Sequence, residues 1–259
     1  MTILDELAAY ARERVRAAEL KLPLAELKSM TGSLPKGDFA FEKALAKPEI
    51  SFITECKKAS PSKGLIAPDF PYLQIAKDYE AAGADCISVL TEPKWFLGSN
   101  DYLREIASNV AIPCLRKDFT VDEYMLHEAK ILGASAALLI CSILSLEQVK
   151  EYIGICDELG LSALVEAHDE AEVGMAVEAG ARIIGVNNRN LKDFTVDTGN
   201  AKKLRELIPS GILFVSESGV KTRQDIVDAI DMGADAVLVG ETLMRAPDKA
   251  LKLRELKGL

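Results

Sequence analysis

Apolar residues along the chain follow two alternating rhythms. Short runs rich in Val, Ile, Leu and Ala, such as Asp85-Cys86-Ile87-Ser88-Val89-Leu90 and residues 135–140, 182–186 and 235–239, have the composition of strands buried on both faces. Between them, Leu73, Ile75, Ala76, Tyr79 and Ala82, or Ile226, Val227, Ala229, Ile230 and Met232, recur at helical spacing. Each of the four runs follows a Gly-Ala pair: Gly83-Ala84, Gly133-Ala134, Gly180-Ala181 and Gly233-Ala234, at intervals of 50, 47 and 53 residues. A glycine there suits the left-handed conformation that ends a helix. Each interval is about twice the length of one βα unit, so a second strand is expected inside it. Residues 112–117, 161–166 and 211–217 supply those strands, and residues 50–57 form one before the first pair. Strands that alternate with helices pair in parallel through crossovers. Eight such units in 259 residues predict an α/β protein of the closed (βα)8 TIM-barrel type. An open doubly wound sheet would carry G-x-G-x-x-G or G-x-x-x-x-G-K-[ST] after a strand, and neither pattern occurs.

Residues 1–259 are therefore expected to form one barrel domain, with residues 1–48 as a helical extension packed on it rather than a separate domain. Leu4, Leu7, Ala8, Ala11, Val15 and Ala18 make a stripe at helical spacing, and Pro23 is placed to start a second helix through Leu27. Two roles are open for this extension: a packing collar over one barrel end, or one wall of an active-site mouth.

Composition narrows the function. A net charge of −9 argues against a general nucleic-acid or anionic-membrane role, while leaving room for a local basic pocket. No apolar run reaches membrane-spanning length, and no secretory signal is evident. Cys56, Cys86, Cys114, Cys141 and Cys156 read as small core residues in a reducing compartment, so a cytoplasmic location is expected. Nothing calls for an obligate assembly, and a monomer or weak homodimer is expected. His127 and His168 stand far apart, with no metal-ligand spacing around them, so neither a metal nor a cofactor is expected. His127 reads as a packing or surface histidine. His168 follows Glu166 by two residues and could orient it.

In such a barrel the chemistry sits where strands end, so polar residues that terminate apolar runs are the informative ones. Glu55 and Lys57 close the first strand, Lys117 the third, Glu166 the fifth, Asn187 and Arg189 the sixth, Glu217 and Ser218 the seventh, and Gly240 and Glu241 the eighth. Alternation of side chains puts Glu55 and Lys57 on one face with Cys56 on the other, and sets Lys117 opposite Arg116 and Asp118. Amines and carboxylates converging on one mouth shift one another's pKa values and supply acid–base catalysis. A self-neutralising ring of charges is the competing reading. The small turns Ser218-Gly219 and Gly240-Glu241 lie where barrels of this class hold phosphate.

The run Glu55-Cys56-Lys57-Lys58-Ala59-Ser60-Pro61-Ser62-Lys63-Gly64 resembles the first strand and loop of indole-3-glycerol phosphate synthase, a (βα)8 enzyme of tryptophan biosynthesis. Leu115-Arg116-Lys117-Asp118-Phe119, Leu164-Val165-Glu166-Ala167-His168, Gly185-Val186-Asn187-Asn188-Arg189-Asn190-Leu191 and Ser216-Glu217-Ser218-Gly219 continue the resemblance over nearly the whole chain. It implies that 1-(o-carboxyphenylamino)-1-deoxyribulose 5-phosphate is closed to the indole with loss of CO2 and water. By the family pattern Lys117 is the general acid of ring closure, and Glu166, Lys57 and Glu55 serve the dehydration in a division that stays open. Asn187 and Glu217 match residues that hold the ribulose hydroxyls and the reacting amine. Arg189 suits an anionic group; Ser60, Ser218, Gly219, Gly240 and Glu241 match substrate and phosphate contacts. Phe96, Phe119, Leu138, Leu191, Phe194 and Leu238 resemble the pocket for the anthranilate ring. Residues 59–69 are expected to form a mobile lid. Trp95, Ser142 and Asp197-Thr198-Gly199 depart from the family pattern without touching a proton-transfer position. A Schiff-base aldolase using Lys57 or Lys117, and a non-catalytic phosphate-binding barrel, are the alternatives.

Overall fold

The computed structural model describes residues 2–190 and 195–259. Among these, eight parallel strands close into a barrel: β1 (Ser51–Cys56), β4 (Cys86–Leu90), β5 (Cys114–Lys117), β6 (Ala136–Ile140), β7 (Ser162–Ala167), β8 (Ile183–Asn187), β9 (Leu213–Glu217) and β10 (Ala236–Val239). Pairing runs in chain order around the ring and closes between β10 and β1, as the repeat predicts. Residues 59–69, expected as a loop, hold an antiparallel pair of β2 (Ala59–Ser60) and β3 (Gly64–Leu65).

The four Gly-Ala pairs do what their chemistry suggests. Gly83, Gly133, Gly180 and Gly233 have φ of 88°, 84°, 84° and 79°. The alanine N–H after each reaches back to the carbonyl five residues earlier, as from Ala84 to Tyr79 at 2.9 Å. This caps the orphan carbonyls of α4 (Tyr72–Ala81), α6 (Glu123–Ile131), α8 (Glu170–Glu178) and α10 (Arg223–Asp231) and turns the chain into the next strand.

Period-two alternation splits the core into two layers. Phe52, Cys56, Ile87, Val89 and Val165 pack outward under the helices. Ile53, Cys86, Leu115, Leu164, Ile183 and Val215 fill the barrel interior. Burying each such aliphatic or aromatic side chain is worth roughly 1.5–3 kcal/mol before entropy is counted. The five cysteines are buried and unpaired. No described helix is long and apolar enough to cross a membrane.

Helix α1 (Ile3–Glu19) starts at a capping box between Thr2 and Asp5, and its buried stripe of Leu4, Leu7, Ala8, Ala11 and Val15 joins the interior cluster. Helix α2 (Leu24–Ser33) begins after Pro23 and runs past Leu27 to Ser33, docking beside α6, where Thr31 Oγ1 meets His127 Nδ1 at 2.9 Å. His127 is thus a buried packing residue. A third helix, α3 (Ala40–Leu45), plugs the opposite end with Phe41 and Leu45.

Candidate active site

A cavity of about 700 Å³ opens at the C-terminal ends of the strands. Glu55, Lys57, Lys117, Glu166, Asn187 and Glu217 line it together with Ser60, Phe96, Phe119, Leu138, Arg189, Ser218, Gly219, Leu238, Gly240 and Glu241. Leu191 and Phe194 lie outside the described residues. Alternation explains the convergence: Glu55, Lys117, Glu166, Asn187 and Glu217 occupy the inward position at the end of β1, β5, β7, β8 and β9.

Lys117 Nζ sits between two buried carboxylates, 2.9 Å from Glu166 Oε2 and 3.4 Å from Glu217 Oε2. Burial works against its charge, but Glu166, Glu217 and Glu55 outweigh that cost and hold its pKa above the ordinary lysine value. The two carboxyls are driven apart. Burial would raise Glu166, yet Lys117 and His168 more than offset it and keep the group ionised. Glu217 is pushed up to about 7, by burial first and by repulsion from Glu166 and Glu55, against the pull of Lys117. Its Oε1 has no hydrogen-bond partner among the described residues. Two carboxylates sharing one ammonium thus take different protonation roles.

Two glycines make room for this arrangement. A Cβ at Gly185 would stand 2.2 Å from Glu217 Oε1, and one at Gly240 would stand 2.3 Å from Glu55 Oε1 and 3.0 Å from Lys57 Nζ. The Glu55–Lys57 pair itself is 2.5 Å long. Gly240, singled out in the sequence for phosphate, therefore also vacates space for a carboxylate across the seam between β10 and β1.

His168 has the orienting position its offset from Glu166 suggests. Its Nε2 is 3.3 Å from Glu166 Oε1, without hydrogen-bond alignment. Its Nδ1 is 3.1 Å from Glu172 Oε2, and Ser142 Oγ donates to Glu172 Oε1. Asn187 Nδ2 donates to Glu166 Oε1 at 3.3 Å, while Asn187 Oδ1 accepts from Ser218 Oγ at 2.9 Å.

At the other end of the cavity, Ser218 and Gly219 have φ of 67° and 103°, which turns the chain after β9. Gly240 caps the short helix α11 (Glu241–Arg245). Glu241 turns its carboxylate toward three cations: Arg245 at 3.1 Å, Lys63 at 3.7 Å and Arg189 at 3.8 Å. No sequence motif signals the Lys63 and Arg245 contacts. Ile3, Leu4 and Leu7 of α1 line the cavity, so the N-terminal extension walls the mouth, the second of the two roles left open for it. The stripe signalled burial but not against what. Phe96 and Phe119 face each other with ring centroids 5.9 Å apart. No cluster of metal-binding side chains occurs among the described residues.

Comparison with known proteins converges on one family. A family model described as indole-3-glycerol phosphate synthase matches residues 4–256. The chain is 57% identical over 257 residues to the indole-3-glycerol phosphate synthase of Ruminiclostridium cellulolyticum, covering 99% of each. It is 52% identical over 259 residues to that of Leuconostoc mesenteroides, again covering 99% of each. Among solved structures, thiamine phosphate pyrophosphorylase from Pyrococcus furiosus gives a TM-score of 0.62 at 14% identity, over 84% of this chain and 96% of that one. KGPDC from Streptococcus mutans gives 0.64 at 13%, over 81% and 96%. At such identities these two structures speak for the barrel alone.

Proposed function

The chain belongs to the indole-3-glycerol phosphate synthase family, and from that premise we infer how its rim residues divide the reaction. The enzyme closes 1-(o-carboxyphenylamino)-1-deoxyribulose 5-phosphate to indole-3-glycerol phosphate, releasing CO2 and water. The observation that carries the assignment is Lys117 held between Glu166 and Glu217 in one buried mouth with Glu55 and Lys57.

In the first step the aryl carbon bearing the carboxylate attacks the ribulose ketone. Negative charge grows on the ketone oxygen, and the Lys117 ammonium gives it a proton as the carbon–carbon bond forms. An alkoxide is far more basic than any amine, so the transfer runs downhill even from a lysine whose pKa is raised. The cationic ring then expels CO2, and the bonding pair restores aromaticity. In the second step the new hydroxyl leaves as water and the methylene carbon beside the arylamine nitrogen loses a proton, which forms the indole double bond. Lys117 has already given up its own proton, so Lys57 is the remaining ammonium near the leaving oxygen, and Glu55 and Glu166 supply the carboxylate base. Asn187 and Glu217 hold the ribulose hydroxyls and the arylamine. Phe96, Phe119, Leu138 and Leu238 wall the aryl ring. Ser218, Gly219, Gly240 and the backbone of Glu241 cradle the phosphate, with Ser60 and Arg189 completing the contacts. The five unpaired cysteines support a cytoplasmic setting, and the barrel with residues 1–48 is read as one working unit.

Substituting Lys117→Met tests the central role. General acid catalysis of this kind is worth about 10²–10⁴-fold, and single-turnover formation of the fluorescent indole should fall by that much. Wild-type activity in a less stable Lys117→Met protein would return the site to the self-neutralising ring. Borohydride trapping with substrate should give no covalent adduct; an adduct would favour the Schiff-base alternative.

A further inference from the structure

The interior of the site is tied to α1 by an ion pair that the reaction does not use. Arg14 sets a fork on Asp118, with Nη2 to Oδ1 at 2.6 Å and Nη1 to Oδ2 at 3.0 Å. Asp118 is 1% exposed and follows Lys117 directly. Its Oδ1 also accepts the backbone N–H of Phe119 at 2.8 Å, and its Oδ2 accepts the Thr91 hydroxyl at 2.6 Å. The Thr91 N–H in turn holds the Lys117 carbonyl at 3.1 Å. One carboxylate thus pins the main chain on both sides of the step from the ammonium donor to the aromatic wall.

A second buried carboxylate does the same for the facing aromatic. Glu92, fully buried, accepts the N–H groups of Lys94, Trp95 and Phe96 at 2.8–2.9 Å. Tyr10, one turn before Arg14 on α1, packs edge-on against Trp95 with centroids 5.6 Å apart. Helix α1 therefore touches both loops that carry the facing rings of Phe96 and Phe119.

We propose that Arg14 is a positioning residue for the aryl subsite, fixing through Asp118 the separation between the Lys117 ammonium and the Phe119 ring. This rests on the assignment of Phe119 to the aryl wall and of Lys117 to ring closure. A role confined to docking the helix fits less well. The helix already docks through Leu4, Leu7, Ala8, Ala11 and Val15, and a buried ion pair adds little net stability over an apolar contact of similar volume. What the planar fork adds is direction.

The test compares wild type with Arg14→Met and Arg14→Lys, the second keeping the charge without the fork. Affinity is measured for two probes: the substrate analogue with its ketone reduced to an alcohol, which fills both ends of the cavity, and inorganic phosphate, which fills one. Arg14→Met should weaken the analogue by about tenfold and lower kcat by roughly ten- to a hundredfold, as displacements near 1 Å do, with phosphate affinity unchanged. Arg14→Lys, which keeps the fold charge-balanced, should fall between the two. Loss of both affinities in parallel, or normal kinetics per folded molecule alongside a lowered melting temperature, would overturn the proposal and leave Arg14 structural. If wild type itself formed no indole product, the fault would lie with the reaction assigned above and not with Arg14.

Discussion

Gly185→Ala is the smallest change that should reach the chemistry. The added methyl would lie 2.2 Å from Glu217 Oε1, 3.2 Å from Leu164 Cδ1 and 3.3 Å from Glu217 Cδ. Non-bonded heavy atoms need about 3.4 Å or more, so the carboxyl group has to retreat by about 1 Å. It cannot do so into water, because Glu217 is 1% exposed. Its other oxygen lies 3.4 Å from Lys117 Nζ, so a retreat of that size changes the contact with the ammonium. A displacement of about 1 Å in a catalytic constellation costs on the order of 10²-fold in rate. Overpacking of this kind costs about 1–3 kcal/mol of stability, or roughly 2–12 °C in melting temperature for a chain of this size. The assay pairs kcat and KM from indole fluorescence with calorimetric melting. The decisive control is the same substitution in a Glu217→Ala background. There the carboxylate is gone, and Gly185→Ala should be neutral or slightly stabilising, since alanine lowers the entropy of the unfolded chain by about 0.4–1 kcal/mol. Additive effects in the cycle, or a kcat/KM within about twofold of wild type for the single variant, would mean that Gly185 does not make room for Glu217.

Two further outcomes follow from the site. Burial lowers the His168 pKa, but contacts with Glu166 and Glu172 overcome this and raise it to about 10 from 6.5. A raised histidine stabilises fully below its unfolded pKa, so this contribution is present below pH 6.5 and is lost as pH climbs toward about 10. Glu217, raised to about 7 from 4.5, loses its contribution over the lower interval between those values. Melting temperature should therefore drop more steeply between pH 7 and pH 10 in wild type than in His168→Asn, and parallel curves would remove His168 from the ionic chain. Within the segment expected to act as a lid, Ile66 and Ala67 donate to the Lys58 carbonyl and Lys63 pairs with Glu241. Hydrogen exchange over residues 59–69 should slow when the reduced analogue binds, and unchanged exchange would show that the segment is no lid.

The fold was legible because each of its signals is local. A helix cap, an apolar run and the two-residue alternation of a strand all act within a few residues, and each survives closure into a barrel unchanged. The rim was legible for the same reason: Glu55 and Lys57 share a face by parity alone. What stayed hidden depends on which residues meet across the ring. Arg14 and Asp118 are 104 positions apart, and nothing near Arg14 in the chain marks it as more than a helix-surface charge. Gly185 reads as a weak spot in a strand until closure sets Glu217 against it. Glu241 sits between cations from three separate segments, so the sign of its surroundings could not be read from its own neighbours.

On the proposed reaction, those surroundings also distinguish the phosphate end of the substrate from its reacting end. At the acid–base end the inward charges are the carboxylates of Glu55, Glu166 and Glu217 against the ammoniums of Lys57 and Lys117. The excess is negative and is relieved by the proton that Glu217 retains up to about pH 7. At the far end Lys63, Arg189 and Arg245 gather around the carboxylate of Glu241, and Lys221 and Asp225 add one charge of each sign to the lining. A phosphate brought to the mouth meets little net charge at the first group and a net positive charge at the second, which favours the second end. On the proposed reaction this charge difference would bring the phosphate to that end and leave the ketone to face Lys117. A protein whose overall charge is −9 can in this way bind an anion: the sign that matters is set by three side chains at one end of the cavity, while the surplus of acids lies elsewhere.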